Sequence, residues 1–223
     1  MTSVELRSIR KGYGNACVVY DASCSFGPGI HLIEGANGTG KTTLLDIMTG
    51  LLEPTSGNIF IGGLEFARHR RRILSRMAFS PAQARFFDGV SVEFAVKLYF
   101  SLRGLSVAHD VFCGFDPFGL RRYETANFGS LSLGWQKRVV LHMVLAANAD
   151  VLILDEPTIG LDIHAVEILG KWIRHREASG TTILTCHDPD GLALPNLRRH
   201  VLEGREGGSV LVSMDRKEGP TPV

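Results

Sequence analysis

Hydrophobic positions along this chain change their period several times, and each change predicts an element. Near the start, Val4, Leu6 and Ile9 roughly alternate with polar neighbours, the rhythm of a strand with one buried face, and Val18-Val19-Tyr20 begins a second strand. Gly27-Pro28-Gly29 makes a turn before the largely apolar run Ile30-His31-Leu32-Ile33. Leu44, Leu45, Ile47 and Met48 then fall at helical spacing, so Lys41 to Thr49 is predicted as a helix that stops at Gly50. Pro54-Thr55-Ser56-Gly57 turns into a strand over Asn58 to Ile61, closed by Gly62-Gly63. Residues 65 to 76 read as a basic helix, and Met77 to Phe79 as a short strand. The stretch from 91 to 135 reads as mainly helical. Ser91 is its N-cap, Phe94, Leu98 and Leu102 form a stripe, and Pro117 and Gly119 break it. Lys137 to Ala147 is an apolar helix, followed by the continuous apolar run Val151 to Leu154, as expected of a strand buried on both faces of a parallel sheet. A helix over Ile163 to Ala178 and a strand over Thr181 to Thr185 repeat the alternation. Val201 and Val210 to Val212 frame a terminal hairpin, and the polar tail at 216–223 is expected to fray. The order predicts an α/β fold with a mainly parallel sheet.

Composition narrows the class. The chain has 223 residues, 44% hydrophobic and 21% charged, which describes an ordinary globule and neither a disordered nor a fibrous chain. A net charge of +1 gives no global attraction to nucleic acid or anionic lipid. The basic run Arg68-His69-Arg70-Arg71-Arg72 is isolated and has no interleaved aromatics, so it reads as a solvated helix face and no nucleic-acid partner is expected. Val139 to Ala147, interrupted by His142, falls well short of the ~20 residues a membrane-spanning helix needs. Met1 to Lys11 has no apolar signal core. Cys17, Cys24, Cys113 and Cys186 are scattered without a C-x-x-C pair and read as reduced thiols of a cytosolic protein. The histidines include no H-E-x-x-H, which argues against a zinc centre.

The chemistry is concentrated in two segments. Gly35-Ala36-Asn37-Gly38-Thr39-Gly40-Lys41-Thr42-Thr43 fits G-x-x-x-x-G-K-[ST], the loop that cradles phosphates with backbone N–H groups at a helix N-terminus. Lys41 can reach β- and γ-phosphates, and the Thr42 hydroxyl can ligate Mg²⁺. The second segment, Val151-Leu152-Ile153-Leu154-Asp155-Glu156, delivers two acids at the carboxyl end of a buried strand, where ligands bind in open α/β sheets. Asp155 is expected to hold Mg²⁺, through water, and Glu156 to polarise the water that attacks the γ-phosphate.

Between these segments lies Leu131-Ser132-Leu133-Gly134-Trp135-Gln136-Lys137-Arg138. After them come Thr158-Ile159-Gly160-Leu161-Asp162 and Leu184-Thr185-Cys186-His187-Asp188. The set, in this order, resembles the ATP-binding cassette family over about Val4 to Val212. The resemblance implies a P-loop NTPase core with an N-terminal antiparallel β subdomain and a small inserted α-helical subdomain (about 83–135), all one ATP-binding domain over 1–215. It implies ATP and Mg²⁺ as ligands, with Gly35, Asn37, Gly38, Thr39, Gly40, Lys41, Thr42 and Thr43 around the phosphates. Tyr13 would stack on adenine, and His187 would hydrogen-bond the γ-phosphate and orient the water. Asp162 would carry contacts across a dimer interface, and Ser132 and Gly134 would meet the γ-phosphate held by the opposite subunit. Two half-sites in one chain imply a homodimer or pseudo-symmetric dimer. Departures from the family pattern are visible: Leu133 replaces a glycine, Trp135 replaces the usual glutamine, and the metal-contacting glutamine expected right after Pro81 is Gln83, one place late.

By the same resemblance, the chain is expected to power a membrane transporter by ATP-driven dimer closure, held to the cytoplasmic face of the cell membrane by a membrane-spanning partner. That partner's cytoplasmic helices would dock near Gln83, Phe86 and Phe87. The Leu-Ser-Leu-Gly form and the single-cassette size look more like an exporter-type subunit. The competing readings are an assembly-scaffold ATPase with soluble partners and a phosphate-loop kinase.

Overall fold

The computed structural model describes residues 2–14, 16–84, 86–105, 111–112, 115–205 and 207–214. Its first strands are long and antiparallel. β1 (Val4–Tyr13) lies between β2 (Ala16–Phe26) and β4 (Ser56–Ile61), and β4 carries the short β5 (Leu64–Glu65) at the edge. Val4, Leu6 and Ile9 all turn inward. Their uneven spacing is matched by Ser8, whose left-handed φ of 49° accompanies a register shift between Leu6 and Ile9.

β3 (Gly29–Glu34) is the hub of the parallel half. It runs between β8 (Thr181–Leu184) and β9 (Leu197–Arg205), with β7 (Val151–Leu154) and β6 (Met77–Ser80) following outward from β8. β10 (Gly208–Met214) returns antiparallel to β9 and pairs in parallel with β2, joining both halves in the order β5-β4-β1-β2-β10-β9-β3-β8-β7-β6. The expected terminal hairpin is this β9–β10 pair, with Val201 opposite Val212. The expected frayed tail at 216–223 lies outside the described residues.

Apolar continuity in the central strands follows from their position, because successive side chains serve opposite faces. Ile30, Leu32, Leu152, Leu154 and Leu184 pack towards α4 (Leu133–Ala146) and α5 (Ile163–Arg176). Ile33, Val151, Ile153 and Ile183 pack towards α1 (Lys41–Thr49). The helix α1 ends as expected at Gly50, which takes φ 71° and donates its N–H to Ile47 O at 3.1 Å. A Cβ at Gly50 would lie 2.5 Å from the Phe66 ring, so α2 (Phe66–Leu74) packs directly on this stop.

Residues 91–135 depart from the expectation of a mainly helical stretch. Among the described residues they hold α3 (Val92–Leu102), the start of α4, and two 3₁₀ turns at Arg121–Tyr123 and Phe128–Ser130. Ser91 does cap α3, its hydroxyl accepting from Phe94 N at 3.2 Å. Further on, the Asp116 carboxylate takes the backbone N–H groups of Leu120 (2.7 Å) and Arg121 (3.1 Å), a local satisfaction that competes with helix. The buried side of α3 is Val92, Ala95 and Val96, whereas Phe94 and Leu102 are 52% and 79% exposed. Spacing identified a stripe but not the direction it turns.

His142 of α4 is fully buried between the rings of Phe112 and Phe115. Burial pulls its pKa down to about 4, partly offset by Asp116 and the Val111 backbone. The unfolded chain therefore takes up a proton near the ordinary histidine value while the folded chain does not. Stability contributed at neutral pH is lost as pH falls from about 6.5 towards about 4, by roughly 3 kcal/mol in total. Calorimetric melts of wild type and His142→Leu across this window are expected to diverge, the variant lacking that part of the acid slope. Parallel curves would contradict the assignment.

Candidate active site

The loop over residues 35–43 is clamped between two strands. A Cβ on Gly35 would lie 2.6 Å from the Leu202 carbonyl oxygen of β9, and one on Gly40 would lie 2.7 Å from the Val18 side chain of β2. Only hydrogen fits at either point, which allows the backbone to curl tightly. Thr39 closes the loop on itself, its hydroxyl donating to Ala36 O at 2.9 Å. Lys41 folds back over it, Nζ donating to Gly35 O (2.7 Å) and Ala36 O (3.1 Å). At Thr42 the helix α1 has begun, and the Thr42 hydroxyl donates to Asp155 Oδ2 at 2.9 Å.

Asp155 and Glu156 follow β7 without a break. The other Asp155 oxygen accepts from the Thr185 hydroxyl at 2.7 Å, and Thr185 Oγ1 in turn accepts from Glu156 N at 3.0 Å. Glu156 takes a left-handed φ of 43°, a conformation costing a non-glycine residue about 1–3 kcal/mol and favoured at functional sites. Its Oε2 accepts from His187 N at 3.1 Å, and His187 Nε2 lies 3.6 Å from Oε1. Oε1 is buried without a hydrogen-bond partner, an acceptor available to a polar hydrogen arriving from the cleft.

These groups converge on a cleft of about 330 Å³, lined by Val18, Asn37, Gly38, Gly40, Lys41, Thr42, Thr43, Asp155, Glu156 and His187. Ser132, Gly134 and Asp162 do not line it and gather elsewhere. Ser132 caps α4, exposed and with no side-chain cap bond. A Cβ on Gly134 would lie 2.4 Å from Gly160 O, so the start of α4 presses on the segment before α5. Asp162 caps α5, accepting from Ala165 N at 2.9 Å, and pairs with Arg138. The Ala165 hydrogen bond and then Arg138 hold its carboxyl below the usual range. Trp135 stacks under the Arg138 guanidinium (4.1 Å) and beside Tyr123 (4.6 Å). Tyr13 ends β1, exposed beneath the Lys11 ammonium at 5.1 Å, and Gln83 lies exposed after β6; neither lines the cleft.

Three residues of the site carry no role that the sequence assigns: Val18 lies in a strand pattern, Thr185 at the end of another, and Lys137 at the start of an apolar helix. Lys137 is buried and donates to Pro81 O (2.6 Å), Ala82 O (3.2 Å) and Asp155 O (3.3 Å), tying α4 to the ends of β6 and β7. Burial lowers its pKa to about 8, with Asp155 and Glu156 opposing. A lysine inside an apolar helix was the available signal. The Thr42 hydroxyl and the Asp155 carboxylate form an all-oxygen donor set of the type a hard divalent cation takes, so the residues present fit Mg²⁺.

A family model described as ABC transporter matches residues 21–159. The chain is 31% identical over 185 residues to the phospholipid-transporting ATPase ABCA3 of Homo sapiens, covering 81% of this chain and 11% of that protein. It thus spans about a tenth of such relatives. It is 33% identical over 156 residues to the cytochrome c biogenesis ATP-binding export protein CcmA of Pseudomonas putida, covering 70% of this chain and 74% of that one. The dimeric structure of a bacterial ABC transporter cassette matches with a TM-score of 0.77 at 19% identity, covering 92% of this chain and 96% of that one, a likeness of fold.

Proposed function

This chain belongs to the ABC transporter family; on that premise we propose that it is an ATP-binding, ATP-hydrolysing subunit that drives a membrane exporter through closure of an ATP-bound dimer. The observation that carries the chemistry is the hydrogen-bonded set Thr42–Asp155–Thr185–Glu156–His187 facing the phosphate loop. The loop backbone and Lys41 bind and orient the phosphates. Glu156 Oε1 accepts the proton of the attacking water while Oε2 stays anchored on His187 N. His187 orients that water and contacts the γ-phosphate. Thr42 and Asp155 would hold Mg²⁺, which would supply charge neutralisation at the bound phosphates. Gln83 joins them only in a conformation that carries residues 81–84 towards Thr42, and Tyr13 stacks on adenine only once nucleotide brings the ring a partner.

Ser132, Gly134 and Asp162 serve a second copy, completing its site across the interface. Their separation from the cleft of their own chain supports this, as does the dimeric form of the cassette that shares the fold. No helix among the described residues is long and apolar enough to cross a membrane; in this reading a membrane-spanning partner carries the transport path. Its cytoplasmic helices would dock near Gln83, Phe86 and Phe87, of which Phe87 is exposed while Phe86 packs on Phe128. A groove of about 590 Å³ lined by Leu51, Leu74, Met77, Phe79, Tyr99 and Leu102, which these three do not line, is a second apolar seat for those helices. The export reading is supported by the name of the CcmA relative. Co-purification of the chain from detergent-solubilised membranes of its own cells is the test. An integral, multi-span protein in stoichiometric complex is expected, and stable complexes with soluble proteins alone would replace transport by scaffolding.

A further inference from the structure

Away from the cleft, four side chains at the junction of β2, β3, β9 and β10 make a connected chain. The Cys24 thiol lies 3.2 Å from Ser213 Oγ, and Ser213 Oγ lies 2.9 Å from His200 Nδ1. His200 Nε2 is 2.9 Å from His31 Nδ1, and His31 Nε2 is 2.8 Å from the Gly27 carbonyl oxygen. Cys24 Sγ also approaches His200 Nδ1 at 3.5 Å. The carbonyl can only accept, which orients the other links. His31 donates from Nε2, so neutral His31 accepts at Nδ1 from His200. Neutral His200 then accepts at Nδ1 from the Ser213 hydroxyl, which accepts from the thiol. Both imidazoles are buried. Burial foremost, with Arg198 adding and the Gly27 bond opposing, holds His31 below the ordinary histidine range, which keeps its acceptor lone pair.

Transfer of the thiol proton to His200 leaves none of these groups unpaired. Nδ1–H then donates to Ser213, Ser213 donates to the sulfur, and Nε2–H still donates to His31. A nucleophile, a base and a third group orienting the base are the parts an activated thiol requires. The other described thiols lack them. Cys17 Sγ faces the carbonyls of Val19 (3.2 Å) and Lys11 (3.7 Å). Cys186 is buried 3.4 Å from the Thr158 hydroxyl, and burial pushes its thiol up.

We propose that Cys24 is a reversible S-thiolation site for low-molecular-weight disulfides, with Ser213, His200 and His31 as its proton-accepting chain. The Cys24 sulfur attacks one sulfur of RSSR. The Cys24–S–S–R bond forms as the RS–SR bond breaks, and the leaving RS⁻ takes the proton lodged on His200, so Cys24–SH and RSSR become Cys24–S–SR and RSH. The location gives the modification a consequence, which rests on the nucleotide-site reading above. His200 lies opposite Ile33 of β3, and Leu202 of the same strand presents the carbonyl that abuts Gly35. A group on Cys24 that displaces His200 pushes on the strand behind the phosphate loop.

Oxidised glutathione and peptide mass mapping test the site without reference to nucleotide. In the folded protein Cys24 is expected to be thiolated about tenfold or more faster than Cys17, and at a comparable rate in urea. Equal rates in the folded protein would overturn the proposal. His200→Asn is expected to bring the Cys24 rate down to that of Cys17. Should that variant unfold, Ser213→Ala at an exposed position replaces it: a several-fold slowing supports the relay, and an unchanged rate refutes it. Thiolated protein is expected to bind ATP about tenfold more weakly, with recovery in dithiothreitol; unchanged binding would sever the link to the loop.

Discussion

Replacing Glu156 by glutamine is expected to leave ATP binding within about twofold of wild type while slowing phosphate release by about 10²-fold or more. The amide matches the carboxylate in size, and its oxygen can still accept from His187 N, the bond that Glu156 Oε2 makes at 3.1 Å. The left-handed backbone at 156 is set by β7 and by the Thr185 hydroxyl on Glu156 N, neither of which involves the side chain. Lost is the ability of Oε1 to take a proton, in a position where it is buried and accepts no hydrogen bond from the described residues. The rate loss corresponds to about 2.7 kcal/mol or more of barrier. Thermal stabilisation by ATP, retained in the variant, separates failed catalysis from failed folding. Turnover near the wild-type rate would remove Glu156 from its role as base.

Ser132→Arg is the second large effect, and it isolates the interface from the monomer. Ser132 is exposed, and its side chain makes no cap bond, so the longer side chain breaks nothing within its own chain. Gly134 would be a poorer probe, because any Cβ there overlaps Gly160 O at 2.4 Å and mixes packing with contact. Monomer nucleotide affinity is expected to stay unchanged. ATP-dependent pairs should disappear from light scattering, and phosphate release should fall by about 10²-fold, the cost of removing an oriented transition-state contact. The scattering measurement is best made in the Glu156→Gln background, where slow turnover lets ATP-bound pairs accumulate. Normal pairing of Ser132→Arg would contradict a cross-subunit role.

Chemistry that is local in sequence was legible; chemistry assembled by packing was not. The 35–43 loop and the acids after β7 are recognisable because the phosphate cradle and the strand-end carboxylates each require adjacent residues. Thr185 and Lys137 reach the same site from other elements, and their importance lies in hydrogen bonds to Asp155 across 30 and 18 residues. The two strand halves were readable from periodicity, including the hairpin that pairs Val201 with Val212. The stretch 91–135 was not, since Asp116 holds backbone N–H groups that a helix would otherwise use. At α3 the same ambiguity appears in another form: Phe94 and Leu102 are apolar yet face outward, and spacing alone does not say which side of a helix meets the core.

The position of β3 imposes an order on the making of the protein. Its two neighbours in the sheet, β8 and β9, are encoded some 150 residues downstream, and Gly35 rests on Leu202. A nascent chain with its first hundred residues outside the ribosome therefore carries the phosphate loop and the β2 side of its clamp, at Val18, but not the β9 side, at Leu202. Such long-range closure is slow to form, so affinity for ATP should emerge abruptly, late in translation, when the ninth strand slides in beside the third.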